Sequence, residues 1–161
     1  VINHVIYSVY NFNGQIGSSV KSETFFINKI FDYKIGNSLS MGLLYAAIAQ
    51  SLNIPVFGVN LPGHFILAYM DDLIDIRLPY EYEESDILFY INPVNNGAIF
   101  TRNEINHFIS KMNISPEPEF FLPCSNHDII RRMIRELIIS FEKEDNQSKT
   151  SALKTLLTEI E

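Results

Sequence analysis

Three residues in the middle of the chain have the side-chain types that acyl-transfer chemistry uses. They are Ser38 in Lys34-Ile35-Gly36-Asn37-Ser38-Leu39, His64 in Pro62-Gly63-His64-Phe65, and Asn92 in Tyr90-Ile91-Asn92-Pro93. A nucleophile, an imidazole base and a third group that orients the ring make up the minimal set for attack on a carbonyl. The nucleophile is the weak member here. A helix dipole and a nearby histidine turn a thiol into a thiolate, but they do not ionise a hydroxyl, which needs a well-aimed base and an oxyanion hole. Each residue also has an ordinary structural use. Serine is favoured as a helix cap, histidine serves as a hydrogen-bonded core residue, and asparagine before proline sits naturally in a turn.

The elements around these residues can be read from pattern. Gly36-Asn37-Ser38 opens a helix, since Asn37 or Ser38 can accept from the orphan amides of the first turn. The run to Leu52 is apolar on nearly every face, which predicts a helix buried in a core. Asn53 to Pro55 ends it. Two strands are then predicted, Val56 to Asn60 and Phe65 to Met70, with Leu61-Pro62-Gly63 between them. This puts the serine at a helix N-terminus, where an anion is favoured, and the histidine at a strand start.

A nucleophile at a helix N-terminus, a histidine on a facing strand and an amide on the next strand resemble the papain-like and transglutaminase-like acyl transferases. More narrowly, the chain resembles the SirB-type proteins, a transglutaminase-like branch with a tetratricopeptide-like tail. The segments that carry the resemblance are Asn11-Phe12-Asn13-Gly14, Gly36-Asn37-Ser38-Leu39-Ser40-Met41-Gly42-Leu43-Leu44-Tyr45, Gly58-Val59-Asn60-Leu61-Pro62-Gly63-His64-Phe65 and Tyr90-Ile91-Asn92-Pro93. Together they span roughly residues 2 to 112. The resemblance implies a transglutaminase-like fold but not the activity, because many members of this branch lack the cysteine, as this chain does. Ser38, His64 and Asn92 then stand at degenerate triad positions. Asn37, Asn60, Gly63 and Tyr90, from the same segments, are expected binding residues.

Composition narrows the field. The chain has 161 residues, 47% of them hydrophobic, which suits a single globular domain. A net charge of −7 argues against a nucleic-acid partner, which calls for clustered Lys and Arg. With one cysteine no intrachain disulfide forms, so a reducing, cytoplasmic location is expected. No membrane span is expected, since no apolar run is long enough. The four histidines show no short paired spacing, and Asp71-Asp72-Asp75 lacks the features of a calcium loop, so neither a metal nor a cofactor is expected. Cys124 precedes a helix and has His127 three residues on, which would lower its pKa if the thiol were reactive; burial is the commoner fate. The chain starts at Val1, inside the family's pattern, and upstream helices are expected to be missing.

Elsewhere the patterns predict a helix from Val1 to Tyr10 and a second, capped by Ser22, carrying Phe25, Phe26, Ile30 and Phe31. A strand fragment, 73 to 76, and a solvated loop, 80 to 84, follow the two central strands, and the loop has a lid or partner contact as its second use. Strands Ile87 to Asn92 and Gly97 to Phe100 come next. Thr101-Arg102-Asn103-Glu104 is a capping box for a helix through Met112. Ser115-Pro116-Glu117-Pro118-Glu119 is a stiff linker, pinned by Phe120-Phe121-Leu122-Pro123. Ser125 and Asp128 start a helix, and a last one carries Leu153, Leu156, Leu157 and Ile160. These two resemble one degenerate tetratricopeptide-type hairpin, which must dock because one repeat cannot bury its own apolar face. A plain terminal helical cap is the alternative.

The expected architecture is therefore α+β: a transglutaminase-like core over 1–114, in which a buried central helix packs on a small antiparallel sheet, a linker over 115–125, and a helical hairpin over 126–161. The expected function is a domain that has lost its nucleophilic cysteine and binds a protein or peptide through its groove or its hairpin. The alternative is an acyl hydrolase or transferase using Ser38, His64 and Asn92.

Overall fold

A computed structural model describes residues 1–15, 17, 21–71 and 81–160. The strand fragment expected at 73–76 and the first residue of the loop at 80–84 lie outside them. Among the described residues, two short strands, β1 (Asn13–Gly14) and β2 (Ile35–Gly36), pair in parallel and flank helix α1 (Ile27–Tyr33). Helix α2 (Ser38–Ser51) follows directly. Strands β3 (Val56–Leu61), β4 (His64–Met70), β5 (Ile87–Asn92) and β6 (Ala98–Phe100) form an antiparallel sheet in that order. Helix α3 (Arg102–Lys111) leads, through a proline-rich turn, to α4 (Asn126–Lys143) and α5 (Gln147–Ile160).

The sheet is buried on both faces, which is why β3 and β4 read as continuous apolar runs rather than alternating ones. On one face Phe65 and Leu67 meet Leu39, Met41 and Ala49 of α2. On the other, Ile66, Ala68 and Met70 meet Ile105, Ile109 and Phe121. Because side chains alternate along a strand, Phe65 and its neighbour His64 leave β4 on opposite faces. The Phe65 ring fills the gap between α2 and β3, and glycines make room for it. A Cβ on Gly42 would sit 2.6 Å from the ring, and one on Gly58 would sit closer still, too near for any real side chain.

Several local expectations change. The N-terminal helix contains a wide π-helical stretch, His4–Val9, with Ile6 buried. Ser22 does not cap a helix. It begins a 3-10 turn, Ser22–Phe25, and its amide and hydroxyl both donate to the Glu144 carboxylate at 2.8 Å. The charged loop is not wholly solvated either: Tyr82 is buried and its ring lies 5.6 Å from that of Phe57. The sequence pattern there shows five polar-tipped residues, and only packing with the sheet residues Ile66, Ala68 and Met70 explains why one of them turns inward.

Capping follows local rules closely. Thr101 with Glu104 and Ser125 with Asp128 form capping boxes, each satisfying orphan donors of a first turn. Phe121 is buried, and its carbonyl accepts from the Tyr90 hydroxyl at 2.9 Å, so the linker is fixed to the sheet.

Candidate active-site cleft

Helix α2 opens on a buried polar knot. Asn37 is the N-cap: its side-chain oxygen accepts from the Ser40 amide at 2.9 Å, and Ser40 Oγ in turn accepts from the Asn37 amide at 3.0 Å. Ser40 Oγ also donates to the Thr24 carbonyl at 2.6 Å. Asn37 therefore does the capping, and Ser38, one residue further, is the first residue inside the helix. Its hydroxyl is left to make a different contact. Ser38 Oγ accepts from the backbone amide of Phe65 at 3.2 Å, the residue next to His64. The helix start and the strand start do meet.

The histidine side is more fully specified. His64 Nε2 lies 3.2 Å from Asn92 Oδ1. That oxygen also accepts from the Val94 amide at 3.2 Å, which identifies it as the acceptor end of the side chain. Nε2 must then carry the proton of the neutral ring, and Nδ1 keeps its lone pair. Burial lowers the His64 pKa from its ordinary value; the Asn92 bond opposes this, the Arg132 charge adds to it, and Glu136 opposes it. The phenyl ring of Phe108 stands 6.3 Å away. An orienting amide on one ring nitrogen and a basic lone pair on the other is what a Cys-His-Asn enzyme requires of its base.

Among the described residues, the Ser38 hydroxyl bonds the Phe65 amide and not the imidazole. Beside both lies a cleft of about 660 Å³, with Ser38, Gly63 and His64 on one side and Arg132, Glu136 and Ile139 of α4 on the other. The α4 residues are the part that motif reasoning did not find. Arg132 crosses from α4 to the β3–β4 turn: it donates to the Leu61 carbonyl at 2.9 Å, to Asn60 Oδ1 at 3.4 Å and to Glu136 at 2.7 Å. The spacing Asp128, Arg132, Glu136 on a helical pattern puts all three on one face and was the available signal.

The remaining expected binding residues divide. Asn60 and Gly63 line the neighbouring groove under Arg132, and Gly63 turns the chain at φ +67. Asn37 is buried in the capping knot, although it touches the cleft wall. Tyr90 is buried on the far side of the sheet, where its hydroxyl is spent on Phe121 and burial pushes its pKa up to about 12. Cys124 also lies apart from Ser38. Its Sγ donates to the Gly58 carbonyl at 3.2 Å, and burial, helped by the Asp128 charge, raises the thiol to about 12. The lowering expected from His127 is therefore reversed, because that side chain is exposed while the thiol is not.

The chain belongs to the transglutaminase-like superfamily, whose family model matches residues 1–135. It is 22% identical over 142 residues to a UPF0162 protein of Xylella fastidiosa (strain 9a5c), covering 84% of this chain and 46% of that protein. It is 27% identical over 161 residues to a UPF0162 protein of Buchnera aphidicola, covering 98% of this chain and 55% of that one. It is also 26% identical over 111 residues to the mouse F-box only protein 21, covering 68% of this chain and 17% of that one. The chain thus spans about half the length, or less, of these relatives. No solved structure matches it. Among the described residues no helix is long and apolar enough to cross a membrane.

Proposed function

We propose that this domain is a catalytically silent transglutaminase-like module of the SirB type, and that it binds a protein or peptide in the cleft between His64 and α4. The observation that carries the proposal is the bonding of Ser38. A hydroxyl stands where a thiol would act, and it accepts from the Phe65 amide rather than donating to His64. The Phe65 amide takes a lone pair of that oxygen, and among the described residues the hydroxyl makes no hydrogen bond to the base. The cleft stays open beside it, so the shape suited to an acyl donor remains available for recognition. In this reading the cytoplasm is the compartment, and α4 with α5 is a tetratricopeptide-like hairpin serving as the cleft's outer wall.

A second reading has one observation in its favour. The His64–Asn92 pair leaves Nδ1 basic, which is the base that acyl transfer through Ser38 requires. A fluorophosphonate probe separates the two. The silent module gives no labelling that depends on Ser38, and labelling of the wild type that disappears in Ser38→Ala overturns it. Binding is tested by selecting peptides from a displayed library on the chain. Ile139→Arg, which fills the cleft from an exposed position on α4, is expected to abolish selection.

A further inference from the structure

The loop from Asn92 to Gly97 is held from outside by the start of the chain. Asn3 and Tyr7 lie one turn apart at the N-terminal helical stretch, on one face of it. The Tyr7 hydroxyl donates to the Pro93 carbonyl at 2.9 Å, and Asn3 Nδ2 donates to the Gly97 carbonyl at 2.9 Å. Asn3 Oδ1 accepts from the Tyr45 hydroxyl of α2 at 2.8 Å, which fixes the orientation of the Asn3 amide. The fit is close at both ends of the loop. A Cβ on Gly97 would collide with Asn3, and one on Gly14 would collide with Val94.

The Pro93 carbonyl and the Val94 amide belong to a single peptide plane. Tyr7 grips the oxygen end of that plane, and the N–H end donates to Asn92 Oδ1 at 3.2 Å. The same Oδ1 lies 3.2 Å from His64 Nε2. Four groups thus stand in series: the Tyr7 hydroxyl, the 93–94 peptide, the Asn92 amide and the His64 ring. Bonds in such a chain polarise and strengthen one another. Burial pushes the Tyr7 phenol above its ordinary pKa, so it stays a donor.

An asparagine amide can face a histidine either way round. With the oxygen on the ring, Nε2 carries the proton and Nδ1 accepts; with the amino group on the ring, the two nitrogens exchange roles. The Val94 N–H selects the first arrangement, because it has no acceptor in the second. We infer that Tyr7 is a positioning residue for His64: by fixing the 93–94 peptide it keeps the Asn92 oxygen on the ring and presents Nδ1 as the acceptor. Asn3 and Tyr45 steady the other end of the same loop. The wide π-helical turn of His4–Val9 thereby serves the site, as such turns often do. Because this role concerns the imidazole alone, it holds whether the cleft binds a peptide or transfers an acyl group.

The test is nitrogen NMR of the His64 ring in the intact chain, at a pH where the ring is neutral. Wild type is expected to show a single Nε2–H tautomer. Tyr7→Phe removes one oxygen and keeps the aromatic ring; it should move both ring-nitrogen shifts towards those of a tautomer mixture. Tyr45→Phe acts only through Asn3, and a smaller movement in the same direction is expected. Asn146 caps α5, its side-chain oxygen accepting from the Lys149 amide at 3.2 Å, and has no bond to the loop. Asn146→Ala should therefore lower stability and leave the ring shifts in place. Wild-type shifts in a folded Tyr7→Phe overturn the role of Tyr7. A movement as large in Asn146→Ala overturns it too, since the tautomer would then follow stability alone. If Tyr7→Phe does not fold, Tyr45→Phe decides, and unmoved shifts there count against the whole series. None of these outcomes bears on ligand binding, so the peptide-binding reading stands or falls separately.

Discussion

The two arms of the cleft differ in how fully their hydrogen bonds are determined. On the histidine arm, Val94 fixes the Asn92 oxygen, Asn92 fixes the ring's proton on Nε2, and a basic Nδ1 is left over. On the serine arm, the buried knot of Asn37, Ser40 and Thr24 fixes the helix start, and Ser38 merely joins that helix to β4. The first arm keeps the arrangement of a base. The second uses its hydroxyl as a structural link between α2 and β4.

The largest break in this comparison comes from the residue between the arms. Phe65 is fully buried between Gly42 and Gly58, and Phe65→Ala should destabilise the chain by about 3–5 kcal/mol. A denaturant melt checks this, and a loss under about 1 kcal/mol would mean that the ring is not a core element. Next comes the helix start. Asn37→Ala removes the cap and orphans partners in the knot, so a cost of about 1–2 kcal/mol is expected, whereas Ser38→Ala removes one half-buried acceptor and should cost less. An equal cost for the two would erase the distinction between the knot and the link.

The histidine arm is sharpened by Asn92→Ala, expected to cost about 1 kcal/mol and, more tellingly, to release the tautomer. Nitrogen NMR of His64 should then show Nε2–H giving way to a mixture. The same arm predicts a pH dependence. His64 has a folded pKa below its unfolded value, so the unfolded chain binds the extra proton first. Stability is full above the ordinary histidine range and falls as pH drops below about 6.5 towards the folded value. In His64→Gln that slope should flatten. The smallest effect is expected at Cys124, whose thiol should react with an alkylating agent at pH 8 only in denaturant, since burial keeps it protonated. Fast labelling of the native chain would show that the Gly58 bond does not hold.

Much of this was legible from residue types alone. The apolar run of α2, the two strands after Pro55, and the capping boxes at Thr101 and Ser125 follow from local propensity, and local propensity is what these elements obey. The meeting of Ser38 with the start of β4 followed from the resemblance to the transglutaminase-like layout. Which of Asn37 and Ser38 caps the helix was not, because either side chain suits the position and only Thr24, thirteen residues upstream, decides it. The role of Ser22 was hidden for the same reason: its partner, Glu144, is 122 residues away. The inward turn of Tyr82 and the contribution of α4 to the cleft also depend on packing between distant segments. No window of sequence displays that.

The contact from Arg132 to the Leu61 carbonyl spans 71 residues, and the Glu144 clasp on Ser22 spans the greater part of the chain. During synthesis, helix, sheet and histidine are all made before the wall that encloses them. Until the ribosome releases α4, the cleft is an open shelf on the sheet's edge. The cleft is thus complete only once α4 and its C-terminal cap have packed back against β3 and the Ser22 turn.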